Sequence, residues 1–324
     1  MKNIFRSLSL LIALSLLILS VSSCATGADD TAVRVIALKG PTGMGMAKLM
    51  RDNDVGESEN EYAFTVSSAP TDVTSEVLAG RVDIAAVPIN LAATLYNKGA
   101  DISVIAVNTL GVLYIAENGN TVNSVSDLRG KTVYAMGKGA TPEYIFDRLL
   151  TINGIDPDND VNIIYCSDGA EVASYLAAGK AGIGLIPEPN LTAALMSSES
   201  LRIALSINDE WNNVSSTPIV QGVLIATDSF IGDHPAKVGS FLKEYAASTG
   251  YVVNNIDDAS QIIENYGITP KAVIAKRSIP NCNICCFTGD EMIPLVNDML
   301  KVLFDADPSS IGGKMPGDDL YYIP

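Results

Sequence analysis

From residue 33 onward, runs of five or six apolar residues alternate with longer stretches whose apolar positions recur every three or four residues, the pattern of strands alternating with helices. Val33–Leu38, Tyr62–Val66 and Val82–Val87 read as strands. Met44–Arg51 reads as a helix, and a second helix, capped by Thr71 or Asp72, ends at Gly80. The same order returns 99 residues later. Lys39-Gly40-Pro41-Thr42 meets Lys138-Gly139-Ala140-Thr141, Ser68 meets Ser167, Ala79-Gly80 meets Ala178-Gly179, and Pro88 meets Pro187. In this second unit Thr141 is placed as an N-cap ahead of Pro142. Asp168 with Glu171 has the spacing of a capping box, and Gly179 closes the helix. Two such units imply an α/β fold of two similar lobes, each a mostly parallel sheet with flanking helices. Val112–Ala116 and Val220–Ala226 are expected as crossover strands joining the lobes. Ala236–Asn254 and Asp290–Phe304 are helical, and Asp307–Pro324 is irregular. The resulting division is 32–111 with 222–324 for lobe one and 112–221 for lobe two.

The chain start has another pattern. Lys2 and Arg6 precede an apolar run, Leu8–Val21, too short to span a bilayer comfortably but suited to a secretory signal. It ends in Val21-Ser22-Ser23-Cys24, which resembles the lipobox of bacterial lipoproteins. Residues 1–23 are therefore expected to be removed and Cys24 lipidated, with 24–31 as a polar tether. The body would then be extracytoplasmic and held at a membrane surface.

Composition narrows the function. Of 324 residues, 48% are hydrophobic and 18% charged, which fits packed cores and excludes a fully disordered chain. There are 21 Lys plus Arg against 37 Asp plus Glu, a net charge of −16. Loss of residues 1–23 removes two cations and no carboxylate, leaving −18. Such a body is a poor nucleic-acid binder. Aromatics at 6% give little material for a cleft of stacked rings. With one His and five Cys, Cys282-x2-Cys285-Cys286 has metal-like spacing but no fourth ligand at hand, and outside the cytosol a disulfide or buried thiols fit better. Gly40-x4-Gly45 is followed by Met46 and Ala47 where a phosphate-binding loop needs Lys and Ser or Thr. No Gly-x-Ser-x-Gly is present.

The repeated turns are the candidate site. A strand ending in Gly before a helix leaves backbone N–H groups unpaired at the strand's carboxyl end. Facing turns at Thr42-Gly43-Met44 and Thr141 would hold a carboxylate, a sulfonate or another polar ligand; the plain alternative is that Thr42 and Thr141 only cap helices. Met44 offers a soft apolar wall if it is not core. Ser68, Asn90 and Glu188 stand at matching strand ends, where capping explains them equally well, and Lys138 is an anion partner or a solvated charge.

Val77-Leu78-Ala79-Gly80-Arg81-Val82-Asp83-Ile84-Ala85 before Pro88, Ser126-Asp127-Leu128-Arg129-Gly130-Lys131-Thr132-Val133, and Phe230-x4-Pro235 resemble segments of type II periplasmic binding proteins, in the branch for nitrate, sulfonates and thiamine precursors. The resemblance implies a monomeric, non-enzymatic, cofactor-free lipoprotein. It would close two lobes around a small polar or anionic solute and dock on the permease and ATPase of an ABC importer. No Arg or aromatic residue at the inferred cleft positions selects among those solutes, and Cys282–Cys286 has no counterpart in the family pattern. Two other readings use the same pattern: a two-lobed enzyme similar to chorismate dehydratase of the menaquinone pathway, and a sensory module without a transporter.

Overall fold

The computed structural model describes residues 32–324. The expected signal segment 1–23, Cys24 and the tether 24–31 lie outside the described residues. The elements run β1 Val33–Leu38, α1 Pro41–Met44, α2 Ala47–Asp54, β2 Tyr62–Ser67, α3 Pro70–Leu78, β3 Ile84–Pro88, α4 Ile89–Asn97 and β4 Ile102–Leu110. Then follow β5 Leu113–Asn118, β6 Thr132–Ala135, α5 Thr141–Ile152, β7 Asn162–Tyr165, α6 Gly169–Ala177, β8 Ile183–Pro187, α7 Asn190–Ser197, β9 Leu201–Ser206 and α8 Ile207–Asn212. The chain continues through β10 Val220–Thr227, α9 Asp228–Asp233, α10 Pro235–Asn254, α11 Ile256–Asn265, α12 Ala272–Ser278, β11 Ile284–Phe287 and α13 Gly289–Ala306.

Two mixed sheets result, one of order β11-β4-β10-β3-β1-β2 and one of order β7-β6-β8-β5-β9. In each, three strands of one repeat unit lie parallel, β2-β1-β3 in the first sheet and β7-β6-β8 in the second. The remaining strands return antiparallel. Helices between parallel strands cover the faces, so interior strands such as β4 are buried almost throughout. The 99-residue offset survives in space, carrying α3 onto α6 and β3 onto β8 residue for residue. One apolar cluster runs through both sheets, from Val87, Val107 and Val223 of the first to Leu113, Ile115 and Leu205 of the second.

Several local expectations change. The first helix is two pieces, α1 and α2, interrupted at Gly45-Met46. Neither Thr71 nor Asp72 caps α3: Pro70 starts the helix after extended Ala69, and Asp72 instead accepts a bond from Ser67 Oγ at 3.0 Å. Thr141 is not an N-cap either, because Ala140 holds that position and Thr141 is the first helical residue. Asp168 does cap, accepting from the Glu171 N–H at 2.9 Å, while Glu171 reaches back to Ser167 N–H at 2.7 Å. The strands β5 and β10 each lie wholly in one sheet and do not cross between them; the passages are at Gly111-Val112 and between α8 and β10. The cysteine segment, which has no counterpart in the family pattern, forms β11 at the edge of the first sheet. No helix among the described residues is long and apolar enough to cross a membrane.

Candidate functional site

A cavity of about 290 Å³ is lined from both sheets. The first sheet's side contributes Pro70 at the start of α3, Pro88 at the end of β3, Asn90 and Leu91 in the first turn of α4, and Gln221 of β10. The second contributes Met136 and Gly137 beyond β6, and Ala140, Thr141 and Pro142 at the start of α5. Strand carboxyl ends meeting helix starts place the cavity where α/β sheets bind ligands. Its volume sits near the ~300 Å³ lower end of small-molecule sites. Displacement of Thr141 from the cap position frees its hydroxyl, which donates across the cavity to Asn90 Oδ1 at 3.3 Å. Thr141 itself is 1% exposed. Gln221 Oε1 is buried and accepts no hydrogen bond.

The repeated turns are not the paired anion cradle that their spacing suggests. In the first, Gly43 and Met44 both donate N–H to Gly40 O, at 3.0 and 3.1 Å, Gly40 N–H goes to Ile268 O at 3.3 Å, and Pro41 has none to give. In the second, the Glu143 carboxylate occupies the Gly139 N–H. Ala140 N–H goes to Gly137 O at 3.0 Å, Glu143 N–H to Ala140 O at 3.1 Å, and Pro142 again has none. The Thr42, Lys138 and Thr141 N–H groups of the two turns lack a partner among the described residues. Helix starts attract anions through free N–H groups, and here the chain has used most of them.

The remaining candidates scatter. Met44 is completely buried in a core cluster with Met46, Leu49 and Tyr245, which corrects its reading as a ligand wall. Gly43 is buried, and a Cβ there would stand 2.2 Å from Leu38 O, so the position admits only glycine. Thr42 accepts through its carbonyl from Asn108 Nδ2 at 3.2 Å and does not line the cavity. Ser68 is exposed, while its neighbour Ser67 is buried and bonded within the turn. Lys138 is exposed, with Nζ 5.4 Å from the Tyr165 ring, and borders a separate groove of about 580 Å³ between α5 and the end of α13. Glu188 is not an open rim group. It is 2% exposed and accepts from Thr192 N–H and Oγ1, both at 3.0 Å, and from Asn281 Nδ2 at 3.1 Å. Burial pushes its carboxyl above the usual range, partly offset by those three donors.

Of the candidates, then, Asn90 and Thr141 come together, and Gln221 is the polar lining residue that the sequence reading missed. Its signal was a lone polar side chain inside the apolar run Val220–Ala226. No group of three or more His, Cys, Asp or Glu among the described residues is placed to hold a metal. Cys166, Cys282, Cys285 and Cys286 are free thiols. Burial raises Cys286 to about 11 and Cys285 to about 12, so both are protonated at neutral pH.

Comparison with known proteins places this geometry among relatives. A family model described as NMT1/THI5 like matches residues 62–259. A protein of Candida albicans (strain WO-1), described as 4-amino-5-hydroxymethyl-2-methylpyrimidine phosphate synthase, is 26% identical over 234 residues, covering 68% of this chain and 67% of that protein. An ABC transporter structure from Parabacteroides distasonis superposes with a TM-score of 0.79 at 23% identity, over 90% of this chain and 99% of that one. The periplasmic aliphatic sulphonate binding protein SsuA of Escherichia coli gives 0.72 at 16%, over 90% and 92%. The periplasmic nitrate-binding protein NrtA of Synechocystis PCC 6803 gives 0.56 at 11%, over 81% and 74%. At these identities the structural likeness is one of fold.

Proposed function

Given that the chain belongs to the NMT1/THI5-like family, we propose that it is an extracytoplasmic solute-binding protein, anchored through lipidated Cys24. It captures a small solute between two lobes, one built on each sheet, and delivers it to the permease of an ABC importer. The observation that carries this reading is the cavity walled from both sheets and bridged by Thr141 and Asn90. A ligand touching both walls stabilises the closed arrangement, and a transporter that recognises closure then distinguishes loaded from empty protein. The relative described as a synthase keeps an enzymatic reading in view. Against it, the residues lining this cavity include no Lys, Arg, His, Cys, Asp, Glu or Tyr, and so no side chain suited to general acid–base work. The test is native mass spectrometry of the purified protein, with small-angle scattering before and after the bound molecule is removed. A stoichiometric small molecule whose loss expands the protein is expected. A chain that carries none and keeps one shape would sink the proposal. Cys24→Ala should release the protein from membranes; unchanged attachment would remove the anchor.

A further inference from the structure

Resting on that reading, we infer that Glu188 and Asn281 form the latch between the two lobes. Glu188 makes closure respond to pH, with the lobes held together in mildly acidic medium and loosened as the carboxyl ionises. Glu188 stands between β8 and α7, in lobe two. Asn281 ends the turn Ile279–Asn281 between α12 and β11, in the part of the chain that returns to the first sheet. Asn281 Nδ2 donates to Glu188 Oε1 at 3.1 Å, and in the reverse direction Tyr114 Oη of β5 donates to the Asn281 carbonyl at 3.1 Å. Lobe two thus grips this turn at both its side chain and its backbone. Because α12 packs on α7 beside it, parting of the lobes breaks these bonds and lets water reach the carboxylate.

One property sets this contact apart from the others that join the lobes. Glu188 is buried, yet no cation pairs with it among the described residues. Its three donors, Thr192 N–H, Thr192 Oγ1 and Asn281 Nδ2, are neutral. A buried carboxylate held by neutral donors alone keeps its proton more readily than the same group in water, and burial accordingly raises this carboxyl above its usual range. A group that binds its proton more tightly in the closed form favours closure as pH falls and opposes it as pH rises. The titratable groups that face it are Tyr114 and Cys282, both raised by burial and neutral across this range. Helix α7 carries no charged residue, and Lys276 and Arg277 of α12 and Lys39 of the turn after β1 are exposed. The other inter-lobe bonds lack this property. Thr141 to Asn90 is neutral, and the Asp307 carboxylate that accepts from Tyr144 Oη at 3.1 Å is held below its usual range by the Ser309 hydroxyl and N–H. Burial raises Asp147 too, with Glu143 and Asp158 of its own lobe, and variants of Glu188 separate the two carboxyls.

The experiment is small-angle scattering of the full-length protein, stripped of any bound molecule, between about pH 5 and about pH 8. It compares the wild type with Glu188→Gln, Asn281→Leu and Asn281→Asp. The closed share of the wild type is expected to fall as pH rises. Glu188→Gln removes the charge and keeps a group that Thr192 and a turned Asn281 amide can pair with. Its closed-to-open ratio at the upper pH should exceed that of the wild type by at least ~5-fold and no longer depend on pH. Asn281→Leu, which takes one donor from a charged acceptor, should lower the ratio about 10-fold. Asn281→Asp sets two carboxylates against each other, so it should open the protein at the upper pH and close it again at the lower, where the pair shares a proton. A pH response that survives Glu188→Gln belongs to another group and overturns the pH role. Closure unchanged in both Asn281 variants overturns the latch. Either result leaves solute binding standing where the wild type carries a small molecule. One shape in every protein at every pH overturns the latch, and a wild type that also carries no molecule takes the solute-binding reading with it.

Discussion

The turn after β1 and the turn after β6 start from nearly the same residues, Lys-Gly-Pro-Thr and Lys-Gly-Ala-Thr, yet they end in opposite environments. In the first, Gly43 and Met44 are driven into the core, where Met44 packs with residues of α2 and α10. In the second, Gly139 stands clear of neighbours at φ +72°, and Thr141 and Pro142 form a wall of the inter-sheet cavity. The difference follows from what packs on each turn. The first is covered by the tail of the chain, including Ile268 and α10, which has no equivalent in the second unit. A repeated motif therefore fixes a backbone path, while later chain segments decide whether that path faces core or ligand.

That contrast is breakable by mutation. The largest effect is expected from Gly43→Ala, whose Cβ would lie 2.2 Å from a backbone oxygen, against Gly139→Ala, which meets nothing within 4 Å and bears only a left-handed φ. Chemical denaturation should show a loss of about 3 kcal/mol for the first and about 1–2 kcal/mol for the second; equal losses would erase the distinction between the turns. Next is Glu188→Ala, which strips the partner from Thr192 and Asn281 and should cost about 1–3 kcal/mol by the same measurement. A smaller, more specific effect is expected from Thr141→Val. Removing the hydroxyl that bridges to Asn90 should weaken ligand binding about 5- to 10-fold, at roughly 1 kcal/mol per lost hydrogen bond. Thr42→Val, off the cavity, should leave binding unchanged, and a reversed order would return the site to the first turn.

The smallest effect concerns Asp147 on α5. Burial, with the nearby Glu143 and Asp158 charges, raises its carboxyl from 3.8 to about 6, and its Oδ1 has no hydrogen-bond partner. The folded state thus holds a proton that the unfolded chain has released between about pH 4 and 6, so stability falls as pH rises through that window. Asp147→Asn should raise the melting temperature by roughly 2 °C at pH 7.5, with the gain fading below pH 4. A gain that does not depend on pH would point to packing instead of charge.

Much of the element order was legible because its signals are local. The apolar run Val33–Leu38, the breaks at Gly80 and Gly179, and the 99-residue offset all follow from which side chains lie a few positions apart. β11 was not legible, because Ile284–Phe287 is a short partly buried edge whose pairing depends on β4, more than 170 residues earlier. The same limit governs the site. Nothing near Thr141 indicates that its hydroxyl reaches Asn90, 51 residues away, and nothing near Gln221 indicates an acceptor left without a donor. By itself the sequence determined two strand–helix units in register, an acidic body and a poverty of rings and cations for gripping a ligand. Only the tertiary structure decided which turn faces the cavity and whether its N–H groups are free. Burial and hydrogen-bond partnership are set by whatever distant segment arrives on the other side, and a local pattern carries no record of that arrival.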